Sequence, residues 1–282
     1  MQVITKSIIK KLRLPKPNSR KRDNGRLLII AGNEKYFGAL VYAIKAASRI
    51  VDLVYVLTTP ENQKLIEKMK LKTAEFMPTP SLPSPQGGGK EKNDIDAILI
   101  GPGMGVSART KNLVLRILKS DLKTVLDADA LNVLDNNLKK QLGQNHILTP
   151  HHREFHRLFK LPATAENVEK MMKKYHCTIV LKGPVDYIAN SHKGLWQNKT
   201  GNAGMTKGGT GDVLAGLVAA LYCTNDAFTS ATAGVYLNGK AGDDLYNKVG
   251  TFYDTEDLVE QLPKTLHKIL NFTLRVIPRR GT

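Results

Sequence analysis

The run Leu27-Leu28-Ile29-Ile30-Ala31-Gly32-Asn33, the link Glu34-Lys35-Tyr36-Phe37 and the stretch Gly38-Ala39-Leu40-Val41-Tyr42-Ala43-Ile44-Lys45-Ala46-Ala47-Ser48-Arg49-Ile50-Val51 decide the fold class. The first is a short apolar run ending in Gly32-Asn33, and the last carries apolar residues at helical spacing, so a strand feeds a helix through a loop. The pattern then recurs. Residues 53–57, 97–100, 124–126, 147–148 and 178–181 read as further buried strands, with helical stretches near 61–70, 109–119, 152–160 and 164–175 between several of them. Such alternation implies an α/β fold, a mostly parallel sheet with helices on both faces. Beyond it, Val185 to Ala189 and Gly194 to Gln197 suggest a hairpin turning near Asn190 to Lys193, and three helices are expected near 211–222, 226–247 and 254–270.

A chain of 282 residues with 41% hydrophobic content can bury its core as a single domain. The net charge of +17 invites a nucleic-acid reading. Half of that excess, however, lies on residues 1 to 26, where nine basic residues face one acid, Asp23. Residues 1–25 therefore read as a basic N-terminal arm before one domain over 26–282. The arm is either a solvated or oligomer-contacting extension or an anchor for a polyanion. Nothing resembles an aromatic-studded RNA platform, so nucleic acid is not the expected partner. Residues 78–94, rich in Pro, Gly, Ser and charge, read as a surface loop insertion. Cys177 and Cys223 form neither a disulfide framework nor a zinc spacing, and no apolar run is long enough to span a membrane. A cytoplasmic, soluble protein is the expectation.

Three glycine-rich loops fall at the ends of expected strands, where open α/β sheets place their ligand crevice. The strongest is Gly201-Asn202-Ala203-Gly204-Met205-Thr206-Lys207-Gly208-Gly209-Thr210-Gly211-Asp212, with five glycines in the eleven residues before Asp212 and an apolar helix directly after it. Glycines turn backbone N–H groups inward, and a helix N-terminus adds unpaired donors, so Gly208, Gly209, Thr210 and Gly211 form an anion hole for phosphate. A carboxylate in the first helical turn, Asp212, can take a proton from a hydroxyl attacking a phosphoryl group. The second loop, Gly101-Pro102-Gly103-Met104-Gly105, lets a ligand lie against bare backbone. It matches neither the Rossmann nor the Walker pattern. Past other strand ends stand Asp127, Asp129 and Asn132, then His151 and Glu154, then Lys182-Gly183, a cation placed to meet a phosphate or ribose. His152 and His156 read as surface residues, and the histidine spacing matches no zinc pattern, so metal ligands are unassigned.

In order along the chain, Gly32-Asn33-Glu34-Lys35-Tyr36-Phe37-Gly38-Ala39, GPGMG at 101–105, DADALN at 127–132, TPHHRE at 149–154, LKG at 181–183 and GNAGMTKGGTGDVLAG at 201–216 resemble the NAD(P)H-hydrate dehydratases of the ribokinase-like fold. The resemblance implies a three-layer sandwich and a hydro-lyase. The S-epimer of hydrated NADH or NADPH would be phosphorylated on its C6 hydroxyl at the expense of ADP or ATP, with Mg²⁺. Loss of phosphate would then restore the dinucleotide and release AMP or ADP. It further implies that Ala39, Gly103, Gly105, His151 and Asp212 line the hydrated-dinucleotide site. Lys182, Gly183, Pro184, Val185, Asp186 and Gly211 would hold the adenine nucleotide, with Asp127, Asn132 and Glu154 in support. A homo-oligomer, with the apolar helices after Asp212 as interfaces, and a separate epimerase partner are part of the same expectation.

The sequence departs from the family pattern at His152-Arg153, where Pro-Gly is common, at Asn33, at Lys207, and at Asp186, where a threonine is common and the nucleotide contact is therefore open. The rival reading is a small-molecule kinase of the same fold, similar to hydroxyethylthiazole kinase, because Gly-Thr-Gly-Asp serves any acceptor hydroxyl.

Overall fold

The computed structural model describes residues 1–59, 62, 66, 75–79 and 95–274. The helix expected near 61–70 and most of the loop expected over 78–94 lie outside the described residues. Among the described residues ten strands form one sheet. They are β1 (Gln2–Val3), β2 (Arg26–Ile30), β3 (Leu53–Leu57), β4 (Met77–Pro78), β5 (Ala97–Ile100), β6 (Lys123–Leu126), β7 (His146–Leu148), β8 (Thr178–Leu181), β9 (Asp186–Asn190) and β10 (Gly194–Asn198). Their spatial order is β1-β10-β9-β8-β7-β6-β5-β2-β3-β4. From β4 to β8 every pairing is parallel, and the β9–β10 hairpin extends the sheet antiparallel from β8.

The alternation of side chains across a strand explains the layers. Leu27 and Ile29 of β2, Leu99 of β5, Val125 of β6, Ile147 of β7 and Val180 of β8 point into one core. Their neighbours Leu28, Ile30, Ile98, Ile100, Leu126, Leu148 and Leu181 point into a second. Strands buried on both faces need helices on both. The first core is covered by α1 (Phe37–Ala47), α7 (Thr210–Thr224), α8 (Ala227–Val249) and α9 (Thr255–Leu274), the second by α2 (Ala108–Leu118), α5 (His152–Phe159) and α6 (Ala165–Tyr175). Two short helices, α3 (Asp129–Asn132) and α4 (Asn136–Lys139), lie below the resolution of a periodicity reading. The result is the three-layer sandwich expected.

Helix α7 is the innermost helix. Every residue from Val213 to Cys223 is buried. Gly216 permits its close approach to α1, since a Cβ there would lie 2.5 Å from the Ala43 carbonyl oxygen. The apolar surface of α7 is thus spent inside the chain and is not an interface.

The solvated arm expected over residues 1–25 is corrected at its first half. β1 pairs with β10, the turn of 3-10 helix Lys6–Lys11 follows, and Ile4, Ile8, Ile9 and Leu12 enter the first core. Lys6, Lys10 and Lys11 are interspersed with these apolar residues, and their charge masks the buried face. Further along, the Arg13 amide donates to Asn225 Oδ1 at 2.8 Å, and the Arg22 and Asn24 amides donate to Asp52 at 3.0 Å. Ile9 is completely buried. We expect Ile9→Ala to destabilise the protein by about 2–4 kcal/mol in urea unfolding. A solvated arm would register a change below about 0.5 kcal/mol.

Candidate active site

The loops of interest leave the C-terminal ends of β2, β5, β6, β7 and β8, which lie side by side in the parallel part of the sheet. The Gly32 amide donates to the Pro102 carbonyl at 2.8 Å, tying the loop after β2 to the loop after β5. Asn33 Oδ1 accepts from the Lys35 and Tyr36 amides, an Asx turn that suits asparagine at this position. Gly103 has φ +64°, and a Cβ on it would sit 2.6 Å from the Tyr36 oxygen and 3.2 Å from Ala39 Cβ. Ala39 and Gly103 are therefore neighbours. The Gly105 amide donates to Asp129 Oδ2 at 2.7 Å, Asn132 Nδ2 donates to Asp129 Oδ1, and Arg157 donates to Asn132 Oδ1. Asp129, held by Asn132, thus anchors the GPGMG loop.

The centre of the site is an ammonium among carboxylates. Lys182, just past β8, bridges to Asp127, just past β6, at 2.7 Å, with side chains 16% and 3% exposed. Asp127 Oδ1 also accepts the Thr149 hydroxyl at 2.8 Å. Across the cluster, Lys182 Nζ would lie 3.6 Å from a Cβ on Gly211, so the ammonium rests against the first turn of α7. Burial favours the neutral amine, but Asp127, Glu154 and Asp212 together hold the Lys182 pKa above its ordinary value. Burial raises the Glu154 carboxyl, with Lys182 opposing.

Asp212 occupies that first turn, after the N-cap Gly209, whose φ of +99° suits glycine. Its carboxyl is pushed up from 3.8 to about 7, chiefly by burial and then by the charge of Asp127, while Lys182 pulls the other way. A carboxyl poised near neutrality beside a cation and a helix N-terminus is suited to receive a proton while phosphate charge is stabilised next to it.

His151 is the N-cap of α5. Its Nδ1 accepts from the Arg153 and Glu154 amides at 3.1 and 3.2 Å, and Glu154 Oε2 accepts the His151 amide at 2.9 Å. This capping box occupies Nδ1 and leaves the proton of the neutral ring on Nε2. Glu154 is 7% exposed, so it supports His151 from beneath. His152 and His156 are exposed.

Beside Lys182 opens a cavity of about 630 Å³, bounded by His151, Lys182–Pro184 and Asp186 on one side and by Thr210, Gly211 and Leu214 on another. Loop residues 200–203, 205 and 206 and, from α8, Val235, Asn238 and Gly239 complete its wall. Asp186 is occupied within the chain. Its Oδ1 accepts the Gly183 amide at 3.1 Å and its Oδ2 accepts Asn198 Nδ2 at 3.0 Å, while burial pushes its carboxyl up to about 6. The side chain pins the turn over Gly183 to Val185. Lys207, although exposed, is tied within the chain. Its Nζ donates to the Thr251 oxygen at 2.6 Å and to the Tyr253 oxygen, so it is a strut beneath the glycine loop.

The sequence profile of the NAD(P)H-hydrate dehydratases matches residues 27–264. The chain belongs to that family. It is 40% identical, over 92% of its length, to the bifunctional NAD(P)H-hydrate repair enzyme of Methanocaldococcus jannaschii, of which it covers 51%. The chain therefore spans about half the length of such curated relatives. It is 33% identical to the ADP-dependent (S)-NAD(P)H-hydrate dehydratase of Cenarchaeum symbiosum, covering 88% of this chain and 91% of that protein. Among solved structures, the ADP/ATP-dependent NAD(P)H-hydrate dehydratase of Bacillus subtilis, co-crystallised with ATP/Mg²⁺, superposes with a TM-score of 0.81 at 25% identity, over 95% of this chain and 98% of that one.

Within this family frame, the site falls into two groups. Lys182, Gly183, Pro184, Asp186, Thr210 and Gly211 meet His151 around one cavity, with Asp212 beside it, whereas Ala39, Gly103 and Gly105 gather at the neighbouring loops after β2 and β5. Gly208 has open space where a Cβ would stand, and its carbonyl accepts the Thr255 hydroxyl at 2.8 Å. Sequence reading missed Thr149, which resembles any strand-end threonine, and Asn238, which sits inside an apolar helical run.

Because the folded pKa of Asp212 lies above its ordinary value, the native state keeps this proton where the unfolded chain has lost it. Stability contributed at this position therefore falls as pH rises from about 4 to about 7. Asp212→Asn should stabilise the unliganded protein by on the order of 1–3 kcal/mol at about pH 8 and leave it nearly unchanged at about pH 4. Urea unfolding at both pH values reads the difference, and equal effects at the two would contradict the assignment.

Proposed function

We propose that the chain carries out ADP- or ATP-dependent dehydration of the S-epimer of hydrated NADH or NADPH, a hydro-lyase reaction that returns the damaged cofactor to use. The observation that carries the reading is Asp212, raised to about 7 in the first turn of α7, with the Lys182 ammonium against Gly211 beside it. The adenine nucleotide would occupy the cavity beside Lys182, and the hydrated dinucleotide would lie over Ala39, Gly103, Gly105 and His151, with its C6 hydroxyl at Asp212.

Asp212 takes the proton as the C6 oxygen attacks the terminal phosphoryl group, and the P–O bond to the departing AMP or ADP breaks. The amides of Gly208 to Gly211 and the Lys182 ammonium hold the charge of the transferred group. The C6–O bond to phosphate then breaks and the ring is restored to the dihydro form as a proton leaves C5. Among the described residues no group of three or more ligating side chains gathers for a metal. Mg²⁺ fits as an ion carried by the nucleotide phosphates, whose charge it offsets.

No helix among the described residues is long and apolar enough to cross a membrane. A cytoplasmic location is part of the proposal. For a homo-oligomer, support comes from Tyr246, Val249 and Phe252, exposed together at the end of α8 and just beyond it. An epimerase activity, supplying the S-epimer, is what this reading implies.

The test is to incubate the protein with hydrated NADPH and ADP or ATP and follow the recovery of NADPH absorbance. Recovery should follow a kcat/KM profile with an acid limb at about pH 7, because the base must be ionised. Asp212→Asn should lower kcat by about 10²–10⁴-fold. No recovery, alongside phosphorylation of a vitamin alcohol such as hydroxyethylthiazole, would establish the kinase reading instead.

A further inference from the structure

The cavity beside Lys182 contains a group that the phosphate chemistry does not use. Asn238, in the middle of α8, is 4% exposed, yet it lines the cavity and its Oδ1 has no hydrogen-bond partner among the described residues. A buried amide oxygen left without a donor is costly, and such groups are rare in folded proteins. Its surroundings are chosen for the fold and not for it. The following glycine, Gly239, packs so closely on Thr200 that a Cβ would meet Thr200 Oγ1 at 2.3 Å, which fixes the local path of α8 and holds Asn238 at the wall. The nearby wall residues Leu214, Val235 and Met205 are apolar. The cavity thus has a cationic end at Lys182 and a wall of aliphatic surface with one unsatisfied carboxamide.

Resting on the reading of this cavity as the adenine-nucleotide site, we propose that Asn238 is its base-reading residue, its carboxamide pairing with the edge of adenine. A carboxamide offers an acceptor and a donor side by side, which matches the N6 amino group and N7 of adenine in a bidentate pair. Along that same edge guanine presents two acceptors, O6 and N7. Whichever way the carboxamide is turned, guanine therefore leaves its oxygen unpaired, and the site discriminates against it. The donor is consequently an adenine nucleotide by recognition of the base and not only of its phosphates.

Asn238→Leu replaces the amide with an apolar group of similar shape, and Asn238→Ala provides a smaller change. Thermal unfolding without ligand, together with calorimetric titration of ADP and GDP into the wild type and both variants, decides the matter. In the wild type ADP should bind at least about tenfold more tightly than GDP. Asn238→Leu should melt no lower than the wild type, because no protein partner is lost, while ADP binding weakens about tenfold and the preference over GDP collapses. Asn238→Ala should lose the same preference. A lower melting temperature in Asn238→Leu with an unchanged ADP-to-GDP ratio would make Asn238 structural and overturn the proposal. A wild type that binds neither nucleotide would instead remove the cavity assignment on which the proposal stands.

Discussion

The position of everything reactive depends on α7 being packed on all sides. Gly216 brings its backbone against the Ala43 oxygen of α1, and Gly234 of α8 accepts Val218 where a Cβ would lie 2.5 Å from Cγ2. Close approach on both sides leaves the helix no lateral freedom. Its N-terminus is therefore delivered to the strand ends of a sheet whose register is itself set by two cores. A side chain at either glycine would displace the helix, and with it Gly211 and Asp212. Lys207 secures the same loop from below through the backbone of residues 251 and 253.

On this rigid support the chemistry becomes a matter of charge. One buried ammonium faces Asp127, Glu154 and Asp212, and the three carboxyls are held differently. Asp127 is bound directly by Lys182 and by Thr149, and Glu154 is taken up by the backbone of His151. Among the described residues Asp212 has no such direct bond, and it is the one in the first turn of α7, beside Gly211. A cation already committed to Asp127 tempers the rise of the Asp212 pKa without abolishing it, which leaves the carboxyl near neutrality. The arrangement separates structural acids from the reactive one by their hydrogen bonds and not by their residue type.

Much of this was legible in the sequence because it is local. Strands such as Leu53–Leu57, Ala97–Ile100 and Thr178–Leu181 are apolar runs bounded by breakers, and the helix after Asp212 is apolar throughout. The glycine loops could be placed at strand ends for the same reason. What escaped was long-range. Asn238 shares a wall with Lys182 only because α8 folds back beside β8, and Lys207 finds carbonyls 44 and 46 residues further on. The N-terminal segment was misread for a different reason. Its lysines outnumber its isoleucines, and composition conceals that Ile4, Ile8 and Leu12 recur every four residues on one buried face.

Both margins of the sheet end in strands only two residues long. Gln2–Val3 covers β10, and Met77–Pro78 covers β3, with a proline that has no N–H to donate. A ten-stranded sheet carries two rows of backbone groups that would otherwise template the addition of further chains. Among the described residues each outermost strand is only a dipeptide. The same basic segment that seemed a loose tether thus shields, through its first residues, the outer edge of β10 at Trp196 and Gln197.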